Sequence, residues 1–441
     1  MEGAGRGQHK AGVFAAAKRA TKPGEYGSTG AGGGTGRDAA PKIEGVLMLD
    51  KAKFLLQPSR RSAVPPFMVM DVMAAAARLE AQGRRIIHME VGQPAAPAPS
   101  TAIAAARTAL SSGPLGYTET LGIPSLRHRI ARSYRDWQGL DIDPQRIVVT
   151  TGSSAGFILA FLTAFEAGDR VAVALPGYPP YRHILTALGC EPVAIECSPE
   201  TRWSLVGETL LREHRARPIK GVVVASPANP TGTMMREAAL TDLIHCAEDA
   251  GIAVISDEIY HGLDYAYPAT TAARISPDTI IVNSFSKYFC MTGWRIGWLV
   301  VPPALVRAVE RLQQNLAISV PTLSQIAAEA AFDGRAELEH IKHGYQDNRR
   351  ILLDGLPKAG LDSFLPVDGA FYLYADVSRF SSDSFAFASR MLEEAGVAVT
   401  PGVDFDPIHG RNFIRLCYAG SRADMIEAVE RIGTWLEEQA R

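Results

Sequence analysis

Between residues 145 and 301 the chain alternates short β-branched runs with amphipathic stretches ten to fifteen residues long. The runs are Arg146–Thr151, Arg170–Leu175, Pro192–Glu196, Gly221–Ser226, Ile252–Asp257, Thr279–Phe285 and Arg295–Val301. Strands that are apolar along their whole length, interleaved with helices, predict a largely parallel sheet buried between helical layers. The expected class is therefore α/β, with a seven-stranded, mostly parallel sheet. Ligands of such sheets bind outside the carboxyl ends of the strands, so the informative residues should lie just after each run.

Beyond residue 303 the texture changes to long helical patterns, then to strands at Ala370–Val377, Val397–Thr400 and Asn412–Ala419 and a last helix over Arg422–Glu438. This predicts a smaller α+β domain at 326–441, joined by an N-terminal arm at 45–95 that is helical over Pro65–Glu80, with the large domain at 96–325. Residues 1–44 culminate in a glycine run at 30–36 and lack the apolar side chains that offset the entropy of ordering, so disorder is expected there. No apolar strand precedes that run and no helix pattern follows it, which separates it from a phosphate-binding loop.

A chain of 441 residues, 47% of them apolar, can bury two or three domains. Its net charge of -2 gives no footprint for nucleic acid or an anionic membrane, so small-molecule partners are expected. The five cysteines show no Cys-x-x-Cys spacing, which argues against a zinc site and suits a reducing compartment, the cytoplasm by default. No apolar run reaches the roughly 18 residues needed to span a bilayer.

The residues after the strands carry chemistry. Lys287 follows an apolar strand and precedes Phe289–Trp298, a segment too apolar for a surface loop. A lysine buried as an ammonium is disfavoured, and one use of a lysine with a depressed pKa is as a neutral amine condensed with a carbonyl cofactor. Asp257 closes the run Ile252–Asp257, with Tyr260 three residues on. An acid there can keep a pyridine nitrogen protonated and make the ring an electron sink. Asn229, fixed between prolines in Ser226–Gly232, and Tyr260 could both hydrogen-bond a phenolate oxygen. At Thr150–Ala155 a strand ends, a glycine turns and Ser153 and Ser154 open a helix running from about Gly156, an arrangement suited to an anion. Ser284, Ser286 and Arg295 could add contacts to the same anion. Taken singly, these are also what a helix cap, a tight turn and a structural lysine look like.

Together, Pro227–Gly232, Ser256–Tyr260, Ser284–Lys287 and Met291–Arg295 run in the order of a known family. From about residue 60 to 440 the chain resembles the class I/II pyridoxal-phosphate-dependent aminotransferases of the aspartate aminotransferase superfamily, fold type I. The resemblance implies pyridoxal 5'-phosphate as cofactor, Lys287 as the Schiff-base lysine and proton shuttle, Asp257 as the partner of the ring nitrogen, and Asn229 and Tyr260 as partners of the phenolate. It implies Tyr178 stacked on the ring, and Ser153, Ser154, Ala155, Ser284, Ser286 and Arg295 around the phosphate. Arg415 matches the arginine that binds the substrate's α-carboxylate, Gly92 a glycine whose backbone lies near the substrate, and Tyr117 a tyrosine that reaches the phosphate of a neighbouring subunit, hence a homodimer with shared sites. The implied reaction moves an amino group between an L-amino acid and a 2-oxo acid by a ping-pong route.

Two rivals stand beside it. A β-lyase or ring-closing lyase would use most of the same residues. A non-catalytic effector-binding domain would need a DNA-binding head, and residues 1–60 contain neither a helix-turn-helix pattern nor a basic face. The donor is open: an aspartate-like or general specificity comes first, with Arg60, Arg61 and Arg182 as unplaced cations. An alanine or aromatic specificity, with Tyr372, Phe371 and Val64–Phe67 lining an apolar pocket, comes second.

Overall fold

The computed structural model describes residues 57–439. The disorder expected of residues 1–44, the glycine run within it and the start of the N-terminal arm at 45–56 lie outside the described residues.

In chain order the elements are α1 (Met68–Glu80), β1 (Ile87–His88), α2 (Ser100–Ser111), α3 (Pro124–Gln138), β2 (Ile147–Thr150), α4 (Gly152–Ala164), β3 (Arg170–Leu175), α5 (Pro179–Leu188), β4 (Glu191–Glu196), α6 (Gly207–Ala216), β5 (Gly221–Ala225), α7 (Glu237–Asp249), β6 (Ala253–Asp257), β7 (Ile280–Ser284) and β8 (Gly297–Val300). After them come α8 (Val306–Leu316), α9 (Thr322–Ala331), α10 (Arg335–Gly355), β9 (Tyr372–Asp376), α11 (Ser384–Arg390), β10 (Val397–Ala398), β11 (Thr400–Pro401), β12 (Phe413–Cys417) and α12 (Arg422–Gln439).

All seven expected strands form one sheet, ordered β2-β8-β7-β6-β5-β3-β4, in which only β8 runs against the others. The strands are buried on both faces, and alternate residues feed two separate cores. Val149, Val222, Val224, Val254 and Ile281 pack on one side. Val148, Val223, Ile255 and Val282 pack on the other, with Phe157 and Phe161 of α4 and Leu185 of α5. The period-2 side-chain alternation of strands thus divides each apolar run between two helical layers.

The smaller sheet is antiparallel, ordered β11-β12-β9, and a two-residue parallel pair joins β1 to β10. The run Val397–Thr400, expected as one strand, is split between these two sheets at Val399. The helix expected from about Gly156 begins four residues earlier, at Gly152, so Ser153 and Ser154 belong to its first turn. No helix among the described residues is long and apolar enough to cross a membrane.

Candidate active site

Strands β2, β3, β5, β6 and β7 end at one edge of the sheet, and the residues that follow them meet in a cavity of about 200 Å³. Its lining includes Ser153 and Ser154 after β2, Tyr178 after β3, Asn229 after β5, Asp257 and Tyr260 at and after β6, Ser286 and Lys287 after β7, then Arg295. Gly92 and, from the smaller sheet, Arg415 complete the predicted set on the cavity wall. Ala155, Ser284 and Tyr117 lie outside it. The side chain of Ala155 is only a methyl group. Ser284 is buried beneath Ser286, donating to the Ile296 carbonyl at 3.2 Å and lying 2.9 Å from the Ser286 hydroxyl. Tyr117 is 83% exposed.

Asp257 is the last residue of β6 and is buried. Burial pushes its carboxyl up to about 6, against the opposing pull of the Tyr181 hydroxyl, which donates to Oδ2, the Ile259 N–H, which donates to Oδ1 at 3.1 Å, and the Lys287 charge. Lys287 donates to the Gly92 carbonyl at 2.5 Å. Loss of hydration lowers its ammonium from 10.5 to about 8, and the Arg415 charge pushes the same way. An amine that sheds its proton near neutrality can act as a nucleophile or base, which an ordinary lysine does poorly.

Arg415 lies mid-strand in β12, opposite Thr400 of β11 and Tyr374 of β9, and is 2% exposed. Its guanidinium donates to Asn229 Oδ1 at 3.0 Å, to Thr400 Oγ1 at 3.1 Å and to the Glu90 carbonyl. It stands between the Tyr372 and Phe405 rings, 4.5 and 4.7 Å from their centroids. Among the described residues it forms no ion pair, and its Nε has no hydrogen-bond partner. A buried cation held by neutral groups is poised to receive an anion. Asn229, accepting from Arg415 through Oδ1, keeps its amide nitrogen to donate elsewhere. Tyr260 is 2.7 Å from the Tyr372 hydroxyl.

At the other end of the cavity the first turn of α4 offers backbone N–H groups with no partner within the helix. Arg295, in a left-handed conformation with φ 51°, lies directly over this turn. A Cβ added at Gly152, itself at φ 73°, would fall 2.4 Å from Arg295 Nη2, so glycine is needed for the guanidinium to close on the helix start. The helix end, two serines and an arginine make a cradle for a dianion, and the donor set fits a phosphorylated pyridine aldehyde along its length.

Sequence reasoning did not single out Tyr181, Thr292, Val69 and Met70, which also line the cavity. The partner of Tyr181 lies 76 residues away, and no local pattern signals that contact. Arg182 is engaged elsewhere, donating to the Asp404 and Phe405 carbonyls at 3.0 and 3.1 Å, and Arg60 and Arg61 are exposed and outside the lining. A second cavity of about 260 Å³, lined by Trp137, Trp298 and Lys342 among others, contains none of the predicted site residues.

The family model for aminotransferase class I and II matches residues 84–432. The valine–pyruvate aminotransferase of Mycobacterium tuberculosis is 50% identical over 383 residues, 86% of this chain and 98% of that protein. The aspartate/prephenate aminotransferase of Thermus thermophilus is 34% identical over 379 residues, 85% of this chain and 97% of its own. Among solved structures, an aminotransferase from Mycobacterium tuberculosis superposes with a TM-score of 0.84 at 49% identity, covering 87% of this chain and 99% of that one. Aspartate aminotransferase from Thermus thermophilus with maleate gives 0.81 at 34% identity, covering 86% and 100%. With a family match over most of its length and relatives this near, the chain belongs to the class I and II aminotransferases and is a transaminase.

Proposed function

We propose that the protein binds pyridoxal 5'-phosphate at this cavity and transfers the amino group of an apolar L-amino acid to a 2-oxo acid in two half-reactions. The observation that carries the proposal is that a depressed lysine, a buried acid and an anion cradle, three groups with different chemical tasks, line one cavity. The class I and II family is in general pyridoxal-phosphate-dependent, which supports the choice of cofactor.

When bound, the cofactor supplies an aldehyde that condenses with amines and a ring that accepts the electron pair released at the substrate's α carbon. Asp257 would hold the ring nitrogen in its protonated form, and Asn229 and Tyr260 would donate to the ring oxygen. Tyr178 would pack on the ring face, and Ser153, Ser154, Ser286 and Arg295 would bind the phosphate. Lys287 would hold the cofactor and, as a neutral amine, would take up the proton of the substrate's α carbon, a task suited to a group titrating at about 8. Arg415 grips the α-carboxylate through paired N–H donors and so fixes which face of the α carbon Lys287 meets. Tyr117, exposed on this chain, is available to the site of a second copy, and a cytoplasmic homodimer is part of the proposal.

Among the described residues, three cations line the cavity: Lys287, Arg295 and Arg415. With the first two assigned to the cofactor and the third to the α-carboxylate, no further cation among the described residues of this one copy lines the cavity to meet a side-chain carboxylate. Phe67, Val69 and Met70 line the same cavity. This reverses the order expected from sequence and favours apolar donors over aspartate. The relative named for valine and pyruvate makes that pair the first to test.

The test is an absorbance spectrum of the purified protein, recorded before and after each of a panel of L-amino acids without a 2-oxo acid. Loss of the visible band with valine, with one 2-oxo acid formed per site, is the expected result. A colourless protein that takes up no pyridoxal phosphate would overturn the cofactor assignment. Pyruvate and ammonia released from a donor with a leaving group on its β carbon, such as serine or cysteine, would point to lyase chemistry.

A further inference from the structure

Asp404 is buried, 4% exposed, and sits in the turn Gly402–Asp404 that follows β11. Its Oδ1 accepts from the Met68 N–H at 3.3 Å, across 336 residues, while Oδ2 has no hydrogen-bond partner. The Val69 N–H, next along the helix, also favours the ionised form of this carboxyl. Met68 opens α1, whose own N-cap, Phe67, offers no side-chain acceptor. Asp404 therefore does for α1 what a local Ser or Asp does for most helices: it satisfies a first-turn N–H group and places negative charge at the positive end of the dipole.

The turn carrying Asp404 is anchored on both sides. Arg182 of α5 clamps the carbonyls of Asp404 and Phe405. On the other side, Thr400 accepts from Arg415 and the Phe405 ring lies 4.7 Å from that guanidinium. The cationic fields of Arg415 and Arg182 oppose the upward push that burial gives the Asp404 carboxyl. What Asp404 holds at its far end is cavity wall. Phe67, Val69 and Met70 all line the cavity, and the Phe67 ring stands edge-on to Tyr178 with centroids 6.0 Å apart.

We infer that Asp404 is a positioning residue for substrate selection, holding the first turn of α1 as the apolar wall of the side-chain pocket at a fixed distance from Arg415. It touches neither substrate nor cofactor. It sets the spacing between the group that grips the α-carboxylate and the groups that meet the side chain, which is the spacing an amino acid must span. The inference rests on the proposal that this cavity is the transaminase site.

Asp404→Ala, Asp404→Asn and the unmodified holoenzyme are compared with valine, alanine and phenylalanine as donors. The expected result for Asp404→Ala is a KM for valine raised roughly three- to tenfold, the scale of a lost helix cap. The ratio of kcat/KM for valine to that for alanine falls, while kcat and the visible cofactor band are unchanged. Asp404→Asn, which keeps Oδ1 as an acceptor, restores most of the ratio. Amide exchange at Met68 and Val69 rises in the order holoenzyme, Asn, Ala, and is read in the Asn variant alone if the Ala variant does not fold. An unchanged valine-to-alanine ratio, or equal losses for all donors through kcat, overturns the inference. A holoenzyme that transaminates none of the donors overturns the underlying proposal instead.

Discussion

The Tyr181 hydroxyl donates to Oδ2 of Asp257, tying the first turn of α5 to the buried acid at the end of β6. This bond favours the ionised carboxyl, while burial, the larger influence, favours the neutral one, and the balance leaves Asp257 at about 6. Tyr181→Phe removes the bond and keeps the ring. The carboxyl then moves up, so a larger fraction is protonated at neutral pH and cannot pair with a protonated ring nitrogen. Pyridoxal phosphate should bind roughly tenfold more weakly, the size expected for losing a hydrogen bond to a charged group, and its acid-side release should start at higher pH. Titrations of cofactor binding against pH in the two proteins check this; superimposable curves would refute it.

The depressed ammonium of Lys287 predicts a pH dependence of the cofactor-free protein. In the folded chain the group titrates near about 8, in the unfolded chain near its ordinary 10.5, and desolvation is the main cause. Between those values the unfolded state binds more protons, so stability should rise with pH through that window, and the penalty of the buried ammonium is fully present below it. Lys287→Met removes the group. The difference in urea midpoint between the two cofactor-free proteins should therefore change with pH from about 8 upward; a difference that stays constant would argue against a depressed lysine.

Much of this was legible in sequence because the chemistry is local to strand ends. Each of the seven strands is found within a residue or two of its apolar run, since strands covered on both faces read as unbroken apolar stretches. Lys287 and Asn229 follow such runs within three residues, Asp257 closes one and Arg295 opens one, and all four line the cavity. What was hidden depends on distant contacts. Helix α4 is apolar nearly all round, so no periodicity marked its start at Gly152. The split at Val399 depends on which strands lie alongside, and the roles of Tyr181, Thr400 and Asp404 exist only through partners far away in sequence.

Arg415→Lys keeps the charge and gives up the planar fork. A single ammonium cannot serve Asn229, Thr400 and the Glu90 carbonyl while also meeting a carboxylate edge-on. The loss of up to about 3 kcal/mol in charge-assisted bonds predicts a KM for amino-acid donors higher by roughly 100-fold. The cofactor band should remain, because Arg415 belongs to the small sheet and not to the strands that carry Lys287 and Asp257. Saturation kinetics on the half-reaction, followed at that band, measure the effect, and a fall in kcat with KM unchanged would contradict the assigned role.

Gly92 presents its Cα to the Tyr372 ring so closely that a Cβ would fall 1.9 Å from the hydroxyl oxygen and 2.7 Å from Cζ. Gly92→Ala must therefore displace either Tyr372 or the 92 backbone, and both belong to the site. Moving Tyr372 breaks its 2.7 Å contact with the Tyr260 hydroxyl, and moving the backbone takes the carbonyl away from Lys287. Overpacking of this kind typically costs about 1–3 kcal/mol. The expected outcome is a lower melting temperature together with at least a roughly tenfold loss of kcat/KM. Tyr372→Phe in the Gly92→Ala background removes the nearest atom but leaves Cζ in place, so it should recover part of the stability and little of the activity. Full recovery of both would mean that the clash is confined to the hydroxyl and that the Tyr260–Tyr372 pair does not contribute to the reaction.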